Sequence, residues 1–352
     1  MKNLLILLVV LPISIVCIGQ NKFDENVRIG ADLLEQEAYK QAIGYLNKAI
    51  KYRKEAKNEY SVANIYNVIA QCNMVLGKYT VALKVANDGL DFKPEYGDLY
   101  YTKCKILNVQ KRYNESIVCA EKGLAVKPKF EDLAILKATA TWELDSFDLA
   151  MRILDTVIVY NGKNRDALNL LSSYKVSRKM YEEGIAICTK LIELDPQDYG
   201  ALYNRAIHKA HLKDFDGALR DMELGMDIDT TLRWIGLNNI GYFIKFEQGD
   251  YEGAIEMFNQ AIELKPDFSY AYNNRGYAKL KLGDFKGARK DINKALALDP
   301  ENSYAYKTLA QLLLAESKND AACENLQKAI ALGYNDHYDD EVNELIEEHC
   351  SN

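Results

Sequence analysis

An aromatic side chain returns along this chain at Tyr39, Tyr79, Tyr113, Phe147, Tyr181, Phe215, Tyr251 and Phe285, in steps of 40, 34, 34, 34, 34, 36 and 34 residues. Three residues after each comes a small side chain: Ala42, Ala82, Ser116, Ala150, Gly184, Ala218, Ala254 and Ala288. Ten residues after each comes Ala49, Gly89, Gly123, Val157, Leu191, Gly225, Ala261 or Ala295, each followed by an aliphatic residue or methionine. A ninth copy keeps Ala322 but has Asn319 in the aromatic slot. Five of the six prolines, Pro94, Pro128, Pro196, Pro266 and Pro300, share one further slot. Four slots held in phase over most of the chain restrict it to a stack of similar supersecondary units. One such unit cannot bury its apolar face alone, whereas a stack can.

Each copy holds two amphipathic helices. Tyr251, Ala254, Ile255, Phe258, Ala261 and Ile262 follow spacings of three and four, which form one apolar helix face. Gly249-Asp250 breaks the helix before them, and proline stops the helix that carries them. The clearest copies, GDYEGAIEMFNQAIELKP (249–266) and GDFKGARKDINKALALDP (283–300), closely resemble the second helix and closing turn of the tetratricopeptide repeat (TPR). The resemblance covers about residues 23–335. It implies an all-α, right-handed α-α superhelix, a TPR solenoid over 20–335. The expected repeats lie near 23–56, 63–96, 97–130, 131–164, 165–198, 199–232, 234–268, 269–302 and 303–335. Residues 57–62 read as an insertion. The stretch from Thr230 to Trp234 lacks the proline and adds residues, so a bend or slip is expected there.

Residues 336–352 read as a capping helix and tail. Tyr338, Val342, Leu345, Ile346, His349 and Cys350 form one stripe, and Asp339, Asp340, Glu344, Glu347 and Glu348 the polar face that a terminal repeat needs. An antiparallel cap brings Cys350 to Cys323, as a disulfide or as two buried thiols.

The first nineteen residues differ in kind. Lys2 is followed by the apolar run Leu4–Val16 and then by Cys17-Ile18-Gly19, the layout of a signal peptide (1–19) cleaved before Gln20. The expected location is therefore periplasmic, cell-envelope or secreted. Membrane association would require lipidation at Cys17 or an uncleaved segment. The remaining six cysteines would meet oxidising conditions.

A net charge of −7 opposes binding to a phosphate backbone, so no nucleic-acid partner is expected. No phosphate-binding glycine loop or zinc-protease motif occurs, and no cofactor, metal or catalytic residue is expected. His208, His211 and Asp214 fall at three-residue steps, a poor set for a metal. Only about fifteen residues fall outside the stack and cap, too few for a catalytic domain.

The first helices of such repeats line the concave face. Counting from each repeat's start, the second, fifth, sixth, ninth, twelfth and thirteenth positions face the groove. They place Tyr203, Asn204 and His211 there, then Asn238, Asn239, Tyr242 and Phe246, then Tyr270, Asn273, Asn274, Tyr277 and Lys281. Asn67, Trp142 and Asn169 are the earlier counterparts. Asparagine is a poor helix-interior residue, yet it recurs on this face. The resemblance implies that groove asparagines clamp a peptide backbone. It does not extend to a carboxylate clamp, because Arg205 and Arg275 fall one place off the face. The expected function is a protein-interaction scaffold that binds a peptide or partner protein. The alternative is a carbohydrate- or envelope-polymer-binding protein, in which tyrosines and Trp142 stack on sugars.

Overall fold

The computed structural model describes residues 21–334 and 341–350. The signal-peptide segment, together with Tyr338, Asp339 and Asp340, lies outside the described residues. Among the described residues every regular element is helical.

Packing divides the chain into two compact units, Met1–Ala167 and Leu168–Asn352. In the first, α1 (Lys22–Glu35) packs on α2 (Tyr39–Lys51), α3 (Glu59–Val75) on α4 (Tyr79–Phe92), α5 (Gly97–Val109) on α6 (Tyr113–Val126), and α7 (Glu131–Trp142) on α8 (Phe147–Tyr160). The division falls inside α9 (Arg165–Ser177).

In the second unit α10 (Tyr181–Leu194) packs on α11 (Tyr199–His211), which pairs with α12 (Phe215–Ile228). Next, α13 (Arg233–Asn239) runs on as a π-helix over Ile240–Phe246 and packs on α14 (Tyr251–Leu264). Then α15 (Ser269–Lys281) pairs with α16 (Phe285–Leu298), and α17 (Ser303–Ala315) with α18 (Asn319–Ala331). The short α19 (Glu341–His349) rests on α18.

The recurrent slots have local causes. Each recurrent aromatic is the first residue of a second helix. Before it, Asp214, Asp250 and Asp284 each accept a hydrogen bond from the backbone N–H three residues on, at 3.0, 2.9 and 2.9 Å. These are N-caps. The preceding turn needs a left-handed residue: Gly249 and Gly283 supply φ of +76° and +77°, while Lys213 takes +64° in the same place. Helices α4, α6, α10, α14 and α16 all stop two residues before a proline, whose ring disfavours helical backbone in the residue preceding it.

The small slots are buried because helices touch there. A Cβ on Gly123 would stand 2.6 Å from Tyr100 Cβ and 2.5 Å from Leu133 Cδ2. Ala42, Ala82, Ala150, Ala218, Ala254, Ala288 and Ala322 are fully buried.

Two irregularities differ from the sequence expectation. Most of the 57–62 insertion is helical: α3 begins at Glu59, capped by Asn58, whose Oδ1 accepts from Ser61 N at 2.9 Å. Beyond Trp234 the two extra residues are absorbed separately. One lengthens the helical stretch, seven α-helical residues followed by the seven-residue π-helix Ile240–Phe246 against the 13 residues of α11 and of α15, and the other lengthens the turn 247–250 before α14. A π-helix takes up one added residue without breaking the helix. It also keeps Gly241 against Phe258, whose Cε1 would be 2.6 Å from a Cβ there.

Candidate functional site

The C-terminal unit holds a groove of about 590 Å3, a size typical of a ligand site. Its walls come chiefly from α11, the α13 and π-helical segment, α15 and α17, with Tyr181, Phe268 and Tyr334 at the edges.

Amides form the centre. Asn273 Nδ2 donates to Asn274 Oδ1 at 3.3 Å, and Asn274 Nδ2 donates to Asn238 Oδ1 at 3.0 Å, joining α15 to α13. Asn273 is only 4% exposed, and its Oδ1 is buried with no donor. Gln311 Oε1 is a second buried acceptor without a donor. A buried polar atom left unpaired costs about 1–3 kcal/mol, so both atoms favour an incoming N–H or O–H.

Aromatic side chains run on both sides of these amides. One row links Tyr181 stacked on His211 (4.6 Å between centroids), His211 to Phe243 (5.9 Å), Phe243 to Tyr242 (5.1 Å), Tyr242 to Phe246 (5.9 Å) and Phe246 to Tyr277 (4.8 Å). The other links Trp234 to Phe268 (4.6 Å), Phe268 to Tyr270 (5.8 Å), Tyr270 to Tyr304 (6.0 Å) and Tyr304 to Tyr334 (5.2 Å). Burial pushes the Tyr277 phenol up to about 12, so it stays a neutral donor.

The charged and titratable lining groups are already matched. Glu247 pairs with Lys213 at 2.9 Å. Lys307 pairs with Glu341. Burial holds the His211 pKa below the ordinary histidine value, which keeps its ring neutral at neutral pH.

Of the residues that counting places on this face in these three repeats, Asn204, His211, Asn238, Tyr242, Tyr270, Asn273, Asn274 and Tyr277 line the groove. Tyr203 does not. It is 6% exposed, and its ring fills the space left by Gly225 and Gly236. Asn239 is half-buried, outside the lining, with only a long 3.5 Å contact from Asn238 Nδ2. The π-helix that follows it turns Phe243 and Glu247 to the groove instead. Phe246 and Lys281 also fall outside the lining, where each stands against the Tyr277 ring. Of the earlier counterparts, Asn67 accepts from Thr102 Oγ1 at 2.6 Å, and Trp142 is buried against Phe147.

Four lining residues of α17, Tyr304, Lys307, Thr308 and Gln311, escaped the sequence reading. The signal was available. They occupy the second, fifth, sixth and ninth positions of the repeat that starts at Ser303.

The arginines off the face do structural work. Arg205 holds Asp221, and Arg275 holds Asp291. His208, His211 and Asp214 do separate jobs: His208 Nε2 meets Ser172 Oγ at 3.1 Å, His211 stacks on Tyr181, and Asp214 caps α12. Cys323 and Cys350 form a disulfide with sulfurs 2.07 Å apart.

Comparison with known proteins agrees with this architecture. Residues 244–283 match the family model described as TPR repeat, and residues 269–302 that of the tetratricopeptide repeat. Over 110 residues the chain is 28% identical to the small glutamine-rich tetratricopeptide repeat-containing protein 2 of Saccharomyces cerevisiae. The match spans 31% of this chain and 31% of the yeast protein's length. A tetratricopeptide repeat protein from Parabacteroides merdae superposes with a TM-score of 0.56, at 16% identity over 82% of this chain and 99% of that one. YrrB, a TPR protein with an unusual peptide-binding site, has a TM-score of 0.42 and 22% identity, covering 53% of this chain and 92% of its own. The chain carries tetratricopeptide repeats in an all-helical solenoid fold.

Proposed function

We propose that the groove of the C-terminal unit binds an extended segment of a partner protein. The chain then acts as an interaction scaffold with nine repeats, not as an enzyme. The amide relay from Asn273 through Asn274 to Asn238 carries this reading, because it starts at Asn273, whose Oδ1 is a buried acceptor that lacks a donor. An extended peptide supplies both N–H and C=O groups along its length, and its side chains find aromatic surface on either side.

Random-peptide display against the chain tests it. The expected result is a set of enriched peptides whose binding falls at least about ten-fold when Asn274→Ala and Tyr277→Ala are combined, a loss of about 1.4 kcal/mol. Leu264→Ala, on an exposed part of α14, should leave binding unchanged. Equal binding by all three proteins would remove the groove from consideration.

Tyr270 and Tyr304 favour a second reading, since both are exposed at the groove edge and can stack on a sugar ring. Retention on a glycan array, with no peptide enriched, would select it.

Export is part of the proposal. The charged start, apolar run and small residues before Gln20 support it, as does a disulfide, which persists in oxidising compartments. Among the described residues no helix is long and apolar enough to cross a membrane. A mature amino terminus at Gln20 in the envelope or secreted fraction is the expected outcome. An intact Met1 in the cytoplasm would remove it.

A further inference from the structure

At its α17 end the groove contains a cation that the chain has already neutralised. Lys307, only 8% exposed, lines the groove and pairs with the Glu341 carboxylate. Gln311, also in the lining, donates from Nε2 to Glu341 Oε1 at 2.5 Å. Glu341 comes from α19, a helix outside the groove walls, held down by two independent attachments. Val342 is fully buried among Tyr306, Ala310, Leu313, Leu326, Ala329 and Tyr334. Cys350 is joined to Cys323 of α18.

We infer that Glu341 fills, from within the chain, the place where a partner's carboxylate would pair with Lys307, and so makes the groove select uncharged segments. The inference rests on the groove reading above and deepens it to a ligand class. An ammonium and an amide N–H aimed at one point form a carboxylate receptor, and charge-assisted bonds of this kind are about twice as strong as neutral ones. With Glu341 in place, an acidic segment meets a spent cation and a like charge. At the groove's opposite end the roles are reversed: the lining group is the carboxylate Glu247, and the exposed Lys213, outside the lining, engages it. What remains unspent is neutral: the acceptors Asn273 Oδ1 and Gln311 Oε1, which call for N–H or O–H donors. The fitting partner is therefore an uncharged extended segment with free backbone N–H groups, not an acidic tail. Because an internal competitor lowers apparent affinity by the fraction of time the site is free, α19 sets the threshold for acidic ligands.

Glutarate serves as the probe, with the full chain labelled with 15N at glutamine and the Gln311 side-chain amide as the readout. Glu341→Ala should respond to glutarate saturably, at concentrations at least about ten-fold below those that move the wild type. Glu341→Gln, which keeps a hydrogen-bonding side chain and loses the charge, should fall between them. Glu344→Ala, at an exposed position of the same helix, should behave as wild type. Adding Lys307→Met to Glu341→Ala should abolish the response. Equal responses in wild type and Glu341→Ala, no response in Glu341→Ala, or a response that survives Lys307→Met would each overturn the inference. Because glutarate needs no peptide partner, a failed peptide selection beside a positive glutarate result would remove the groove reading alone.

Discussion

Arg275 grips Asp291 with two parallel hydrogen bonds, Nε to Oδ2 at 2.8 Å and Nη2 to Oδ1 at 2.6 Å, while Lys279 reaches the same carboxylate at 2.7 Å. The previous Arg-Lys-Asp set, Arg205, Lys209 and Asp221, repeats the geometry at 2.8, 2.7 and 2.8 Å. Asp291 is 3% exposed. Burial by itself would raise its pKa, but the hydrogen bonds and charges of Arg275 and Lys279 overcome this and hold it below the usual carboxylate value. A folded-state pKa lowered in this way contributes stability above the unfolded value of about 3.9, lost as pH falls through the folded one. Asp291→Ala leaves two cations facing each other across a buried gap. It should lower unfolding free energy in urea by about 2–4 kcal/mol, and the deficit should shrink below pH 4.

His208 gives a second pH dependence, at a different position and for the opposite reason. Its side chain is fully buried, Nδ1 has no partner, and burial first, then the nearby His211, depresses its pKa to about 4. The unfolded chain therefore takes up this proton first, near pH 6.5, and the folded chain only near pH 4. Stability is complete above pH 6.5 and declines as pH falls toward 4, by on the order of 2–3 kcal/mol. Urea titrations between pH 7 and 5, where carboxylates remain ionised, should show this slope in the wild type and a flatter one in His208→Gln. Identical slopes would exclude His208 as its source.

Two glycines should respond in opposite directions to the same substitution. Gly123→Ala drives a methyl group into Tyr100 and Leu133 and should destabilise by about 1–3 kcal/mol. Gly44→Ala, on an exposed part of α2 with nothing within 4 Å of the new Cβ, should stabilise by about 0.5–1 kcal/mol. Thermal unfolding of both variants under one condition decides the matter.

The Cys323–Cys350 bridge closes a loop with a sequence separation of 27. Chain entropy assigns such a closure about 3–4 kcal/mol. Cys323→Ser should therefore speed amide hydrogen exchange across α19 by two orders of magnitude or more, leaving α1 to α8 unchanged. Uniform acceleration along the whole chain would show that the bridge supports more than the cap.

Much of this molecule was legible from slot positions, because those slots obey local physics. The aromatic marks a helix start, the small residue a helix contact and the proline a helix end, and each can be read without its neighbours. The groove was legible where the repeat kept its length: the counting rule placed Asn204, Asn273, Asn274 and Tyr277 correctly, and the same rule reaches Tyr304, Lys307, Thr308 and Gln311. It failed where packing outranks position. Tyr203 holds a groove-facing number, yet Gly225 and Gly236 open a space in the core that its ring fills. The π-helix was illegible for a related reason. An added residue can be housed in a turn or in a helix, and here the contact of Gly241 with Phe258 sends one of the two into the helix.

That π-helix shows how such a chain can change its recognition surface by gaining length. Ile240 and Ile244 remain buried on the core side, so the insertion leaves the hydrophobic interior undisturbed. On the other side it presents Phe243 and Glu247, which no substitution had to create there. A single-residue insertion in one first helix thus rewrites what the groove displays while its neighbours keep their registry. Groove composition and core composition can then drift independently, and a lengthened repeat becomes a place to look for altered partner choice.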